Sequence, residues 1–272
     1  MRRLAHELRL VLLALQFFTR VPVTGRLAAW VGWQPGWLND SARYFPLIGL
    51  GIGAFGALVL TIAAQWWPVP VAVGLSIAAT LLLTGAFHED GLADSFDGLG
   101  GSADRERVLA IMKDSRIGSY GSAALIVVLG LKALALASLP IGWSAAALVV
   151  AHGLSRAVAV ALIRALPYAG DAEHAKAKPL AQRVSTAGLV LACIWPLAAI
   201  AAFAAAQAAS GSFAVPGWRA WIAALLAAAG AGLVCARWFR RRLGGVTGDM
   251  LGAAQQLSEL AVLLAVLACV GR

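Results

Sequence analysis

Apolar windows long enough to cross a bilayer recur along this chain, and they leave few folds open to it. Tyr44–Trp66, Val71–Phe87, Tyr120–Leu139, Trp143–Ile163, Thr186–Ala208, Ala220–Ala236 and Met250–Val270 are each nearly free of charge. A spanning helix needs about 20 largely apolar residues, because the hydrocarbon core is about 30 Å thick. The 272 residues are 61% hydrophobic and 13% charged, whereas a soluble domain is about 25% charged. A soluble fold of this length cannot bury so much apolar surface; a bilayer can. The sequence therefore predicts an all-α, polytopic integral-membrane helix bundle of about seven spans, one domain over residues 1–272. The loops at Pro167–Arg183 and Ser210–Arg219 are too short for a soluble appendage.

A net charge of +9 and a pI near 10.3 would by themselves fit a nucleic-acid partner. The placement of the charge excludes that reading. Arg105, Arg107, Lys113 and Arg116 follow the second window; Arg164, Lys176, Lys178 and Arg183 follow the fourth; Arg237, Arg240, Arg241 and Arg242 follow the sixth. The alternate connections carry only Arg219 and the terminal Arg272. This is the positive-inside pattern, which puts the basic loops in the cytoplasm. The expected partner is the lipid bilayer and not nucleic acid.

The amino terminus mimics a signal peptide, with Met1–Arg3 ahead of an apolar Leu8–Phe18, but Thr19-Arg20-Val21-Pro22 stands where a small-residue cleavage site would be. We expect an interfacial or re-entrant helix on the cytoplasmic side, with Arg2, Arg3, Arg9 and Arg20 toward headgroups. Cys193, Cys235 and Cys269 lack metal-ligand spacing and read as packing residues. Gly49, Gly53 and Ala57, four apart, read as a close helix contact in lipid. Trp66, Trp67, Trp195, Trp218 and Trp221 read as an aromatic belt on the sparsely charged side.

Against this background one stretch stands out. Seven of the thirteen acidic residues fall between Glu89 and Arg116. Asp90, Asp94 and Asp97 are spaced i, i+4, i+7, which puts them on one face of a helix. Three carboxylates on one stripe repel unless a cation neutralises them. Their hard oxygens suit Mg²⁺ or Mn²⁺ rather than zinc. The bland alternative is a solvated acidic face; the adjoining apolar span and the bracketing Gly91 and Gly98 argue against it.

Two further segments carry chemistry. In Lys113-Asp114-Ser115-Arg116-Ile117-Gly118-Ser119-Tyr120-Gly121, cations beside small residues at a helix start suit a phosphate, although a turn with an interfacial anchor fits as well. In Gly244-Gly245-Val246-Thr247-Gly248-Asp249, Asp249 opens a span, where capping alone explains it. Glu259 falls inside the apolar window, as do Lys132, His152 and Arg156. Such residues are costly in a membrane and signal function or pairing. His152 reads as a packing histidine, and Arg156 has either Glu259 or a substrate phosphate as its partner. A hard-cation site beside Lys and Arg at a membrane face points to phosphoryl or nucleotidyl transfer. No Walker pattern or Ser–His–Asp signature is present, so an already activated diphosphate is the simpler substrate.

The residues Phe87-His88-Glu89-Asp90-Gly91-Leu92-Ala93-Asp94-Ser95-Phe96-Asp97-Gly98 and Met112-Lys113-Asp114-Ser115-Arg116-Ile117-Gly118-Ser119-Tyr120-Gly121 closely resemble the cobalamin synthase family. Phe17-Phe18-Thr19-Arg20-Val21-Pro22, Phe45-Pro46-Leu47-Ile48-Gly49 and Gly245-Val246-Thr247-Gly248-Asp249-Met250-Leu251-Gly252-Ala253 resemble its terminal signatures, in the expected order. The visible departure is Glu89, where an apolar residue is the commoner expectation. The resemblance implies a bacterial inner-membrane transferase with its site toward the cytoplasm and Mg²⁺ as cofactor. The substrates it implies are adenosylcobinamide-GDP and α-ribazole or its 5′-phosphate; GMP leaves and adenosylcobalamin or its phosphate forms. The physical reading of the residues fits that reaction: Asp90, Asp94 and Asp97 would hold Mg²⁺ on the diphosphate, and Lys113 and Arg116 would hold phosphate oxygens. Asp114 would complete the metal shell or accept the hydroxyl proton, and Asp249 would close the site. Oligomeric state stays open. A CDP-alcohol phosphotransferase fits less well, because the later glycine and aspartate spacing of its pattern fails. A transporter fits less well, because it would hold its polar groups near the bilayer midplane.

Overall fold

The computed structural model describes residues 2–34, 36–170, 181–210 and 215–270; Lys176, Lys178 and Arg272 lie outside them. The described residues form helices α1 (Arg2–Phe18), α2 (Gly25–Val31), α3 (Trp37–Ser41), α4 (Phe45–Ala63), α5 (Val69–Thr84), α6 (Phe87–Gly101), α7 (Arg105–Met112), α8 (Ser119–Ser138), α9 (Ile141–Ala165), α10 (Thr186–Ser210), α11 (Trp218–Leu243) and α12 (Gly248–Leu267). A 3₁₀ turn, Ala42–Tyr44, joins α3 to α4. Among these residues the one β-type pairing is an isolated bridge between Tyr168 and Val246. The fold is a polytopic membrane helix bundle.

Six helical segments are long and apolar enough to cross a membrane: Trp37–Ala63, Ser119–Ser138, Ile141–Ala165, Thr186–Ala209, Trp218–Leu243 and Gly248–Leu267. The seventh expected window is broken. Helix α5 has 16 residues, about 24 Å at 1.5 Å each, and α6 leaves it at 89°. The elbow is built by two consecutive left-handed residues, Gly85 (φ 68°) and Ala86 (φ 56°). Gly85 is required there twice over. A left-handed φ favours glycine, and a Cβ would stand 2.7 Å from Arg20 Nη2. The acid-bearing stretch is thus a helix turned across the end of its span rather than a loop.

Helices α9 and α12 form the centre. The apolar windows of α9 and α12 are 83% and 72% buried, against 11% for α10 and 22% for α11. The outer pair accordingly leaves Val190, Ile194, Leu197, Leu226, Leu233 and Val234 on the surface, where lipid would meet them. The small-residue stripe is a packing surface, as its spacing predicts. A Cβ on Gly53 would sit 2.5 Å from Leu148 O, and one on Gly49 would sit 2.7 Å from Arg156 Cδ, so α4 and α9 touch backbone to backbone. The cysteines are free, with Cys235 buried.

Three expectations need correction. Trp221 is 2% exposed and packs on Phe203, and Trp195 lies mid-helix beside Tyr44. Both are packing residues; Trp66, Trp67 and Trp218 are exposed, as a belt requires. Arg9 lies over the Trp30 ring, 5.0 Å from its centroid, rather than facing headgroups. Arg20 needs no such correction: its backbone N–H donates to Leu83 O at 2.7 Å at the elbow, and the residue is exposed. Helix α1 is amphipathic. It buries Leu10, Leu13, Ala14 and Phe18, exposes Leu4 and Leu8, and is tied to the start of α4 by the Tyr44 hydroxyl donating to Glu7.

The arginine-bearing connections meet at one end. Arg105 Nη2 donates to Ala169 O at 2.9 Å and Arg242 donates to Ser102 O. Val246 N donates to Pro167 O, and Ala169 N to Val246 O, both at 2.9 Å.

Candidate functional site

Helix α6 presents its acids as a graded stripe: Asp90 is exposed, Asp94 half-buried and Asp97 only 8% exposed. Asp97 has a definite task. Its Oδ2 accepts from Gly118 N at 2.7 Å and its Oδ1 from Gly121 N at 2.8 Å. These amides are the N-cap and third residue of α8, donors that a helix leaves unsatisfied. The carboxylate therefore caps a neighbouring helix, where the dipole favours negative charge. Glycine is needed at both positions, since a Cβ would come within 2.9 Å of Asp97 Cγ at Gly118 and 3.0 Å at Gly121. The spacing predicted a metal ligand at Asp97; the structure gives this side chain an anchoring role, with Asp90 exposed and Asp94 half-buried on the same stripe.

The segment anchored in this way carries Lys113, Asp114 and Arg116. Lys113 and Arg116 are exposed. Arg116 closes on Asp114: Nη2 lies 2.6 Å from Oδ2, Nε 3.0 Å from Oδ1, and the backbone N–H donates to Oδ1 at 3.1 Å. These bonds from Arg116 hold the Asp114 carboxyl down at about 2, and Asp114 raises the Arg116 guanidinium in return. A carboxylate so acidic is a weak proton acceptor near neutral pH. Both Asp114 oxygens are taken up by Arg116.

Asp249 comes alongside from α12. The crossing of α6 and α12 uses Gly91 and Gly252. A Cβ on Gly91 would sit 2.8 Å from Asp249 O, and one on Gly252 would sit 3.2 Å from His88 O. The two backbones touch, which places half-buried Asp249 beside the turn that carries Asp90 and Asp94. Asp249 does not cap α12. Thr247 is the N-cap, accepting from Met250 N at 3.3 Å, so capping no longer accounts for the acid. Among the described residues no three His, Cys, Asp or Glu side chains converge as a finished metal site.

The amino-terminal signatures close the other flank. Phe17 stacks on Phe45 at 5.6 Å, Phe18 meets Phe45 edge-on at 4.6 Å, and Phe18 stacks on His88 at 5.3 Å. All five segments that resemble the family thus gather around α6, although they come from distant parts of the chain.

Behind α6 lies a buried polar network that the sequence suggested only in pieces. Lys132 Nζ is 2.6 Å from Glu259 Oε1. Gln255 Nε2 donates to Glu259 Oε2 at 2.6 Å and to Ser155 Oγ at 2.9 Å. Gln256 Nε2 donates to Glu89 Oε1 at 2.8 Å and to Gln255 Oε1 at 2.9 Å. His152 Nδ1 lies 3.3 Å from Glu259 Oε2 and 3.2 Å from Arg156 Nη1, so it is a network member and not mere packing. Arg156 bonds to His152 and lies 5.3 Å over the Phe18 ring; Lys132 is the cation paired with Glu259. Ser155 was not foreseen, because a lone serine in an apolar window carries no signal.

Fold and site together define a polytopic membrane protein with a carboxylate- and arginine-rich face at one end of its bundle. The chain belongs to the cobalamin-5-phosphate synthase family, whose family model matches residues 10–267. It is 59% identical to an adenosylcobinamide-GDP ribazoletransferase of Leptothrix cholodnii, covering 98% of each chain. Proteins with the same name from Albidiferax ferrireducens (94% of this chain, 96% of theirs) and Vibrio cholerae (97% and 95%) are 49% and 44% identical. No solved structure matches the chain.

Proposed function

We propose that this protein transfers the adenosylcobinamide-phosphate group of adenosylcobinamide-GDP to α-ribazole or its 5′-phosphate. The 5′-hydroxyl oxygen of the ribazole forms a bond to the cobinamide-bearing phosphorus. The bond from that phosphorus to the bridging oxygen breaks, GMP carries the electron pair away, and the hydroxyl proton is released. The product is adenosylcobalamin or its 5′-phosphate, and the reaction runs at the cytoplasmic face of a bacterial inner membrane.

One observation carries the reading: the Gly91–Asp249 crossing and the Asp97 anchor gather Asp90, Asp94, Asp249, Lys113 and Arg116 at one end of the bundle. Lys113 and Arg116 hold phosphate oxygens of the leaving GMP. Asp97 keeps that segment in register with α6. Mg²⁺ is commonly held by one or two carboxylates together with substrate phosphates. The exposed Asp90 and half-buried Asp94, one turn apart, fit that donor set. A bound Mg²⁺ would neutralise charge on the diphosphate. Asp249 stands on the adjoining turn of α12, its backbone against Gly91.

The test is GMP release by purified protein in lipid nanodiscs, omitting adenosylcobinamide-GDP, α-ribazole or Mg²⁺ in turn. The reading requires that each omission stop release. Release that continues without α-ribazole would indicate hydrolysis instead of transfer.

A further inference from the structure

Glu89 departs from the commoner family pattern, and the mechanism above does not use it. It is next to Asp90 in the chain but does not join the acidic stripe. Its Oε1 accepts from Gln256 of α12, and its Oε2 is buried without a bond. Gln256 in turn accepts from Lys132 of α8 at 3.4 Å, and Lys132 is paired with Glu259. The chain of contacts therefore runs from the first turn of α6 to a residue that is 0% exposed at the centre of the bundle. Along the way it balances the buried cations Lys132 and Arg156 against Glu259 and Glu89.

We infer that Glu89 is a positioning residue: its bond to Gln256 fixes the rotation of α6 about its axis, and so the direction in which Asp90 and Asp94 face. The inference rests on the proposed reaction. The need for such a tie follows from the fold. Helix α6 is held to its span only through two left-handed residues at a right-angled elbow. Its closest approach to α12 is at Gly91 and Gly252, beside an apolar cluster of Leu92 with Ala253 and Leu260, and apolar contacts are non-directional. Asp97 anchors the far end of α6. Glu89 is the polar tie at the near end.

Glu89→Leu removes the acceptor, whereas Glu89→Gln keeps an oxygen for Gln256. A misplacement of about 1 Å at a reacting centre costs about 100-fold, so Glu89→Leu should lower kcat at least about tenfold. KM for adenosylcobinamide-GDP should stay within about twofold, and Glu89→Gln should match the wild type. A second readout needs no turnover. Leu92 is 0% exposed, so a cysteine there, with Cys193, Cys235 and Cys269 replaced, should react slowly with an aqueous maleimide. Adding Glu89→Leu should speed that labelling at least about tenfold, because rotation brings the buried face of α6 toward water. Should Glu89→Leu fail to accumulate in membranes, Gln256→Met breaks the same bond from α12 and is read in the same two ways. Wild-type turnover and labelling in the leucine variant would overturn the inference, as would a glutamine variant impaired as much as the leucine one. A wild type that releases no GMP defeats the proposed reaction instead, and the labelling arm still reports on the rotation.

Discussion

Asp97→Ala offers the sharpest separation of anchoring from metal binding. The substitution deletes both oxygens that accept from Gly118 and Gly121, and Gly121 is buried. Each buried amide left without a partner costs about 1–3 kcal/mol. Losing a negative charge at a helix start adds about 0.3–1 kcal/mol. The sum is about 2–7 kcal/mol. At about 2–4 °C per kcal/mol, the melting midpoint should fall by roughly 5 °C or more. Asp97→Asn keeps one acceptor and should lose about half as much. The assay is tryptophan-fluorescence melting of the detergent-purified protein in EDTA, where no divalent ion contributes. A midpoint that stays within about 1 °C of wild type for Asp97→Ala in EDTA would refute the reasoning. Asp97 would then be an idle carboxylate in the absence of metal.

Asp94→Asn should insert normally and lose at least about 100-fold in GMP release, checked by membrane fractionation and turnover; near-normal release would remove Asp94 from the site. Arg116→Ala should raise KM for adenosylcobinamide-GDP about tenfold through the loss of a charge-assisted phosphate contact, and equal affinity would reassign Arg116 to holding Asp114. Gly91→Val should block the α6–α12 crossing at a typical overpacking cost of about 1–3 kcal/mol, read as a lower melting midpoint with lost turnover. For pH, the Asp114 carboxyl lies below its ordinary value of 3.8, at about 2. What its pairing contributes is therefore present above about pH 4 and lost only as pH falls through about 2. Infrared spectra should show Asp114 ionised at about pH 4, and Arg116→Ala should move its titration up toward the ordinary carboxylate range.

The membrane helices were legible because hydropathy and window length are physical requirements of the bilayer. The elbow was not. Gly85 signals a turn, but no local pattern marks Ala86 beside it as left-handed. The acidic stripe was legible from its spacing. The commitment of Asp97 to amides more than twenty residues away was not, because capping between helices depends on which helix starts nearby. The costly intramembrane residues were rightly singled out, yet their pairing was not: the sequence offered Arg156 as the cation for Glu259, and the packing of α8, α9 and α12 puts Lys132 there instead. Glu89 stood out in the sequence only as a departure beside the stripe; its position one residue before Asp90 turns it about 100° away, and there it meets Gln256.

Mn²⁺ binding by electron paramagnetic resonance tests the central claim most directly, because it reports on the carboxylate pair without requiring turnover. The wild-type protein should bind Mn²⁺ in competition with Mg²⁺, more tightly once adenosylcobinamide-GDP is present, and a variant lacking the Asp90 and Asp94 carboxylates should lose that site. Equal binding by the wild type and the variant would contradict the account.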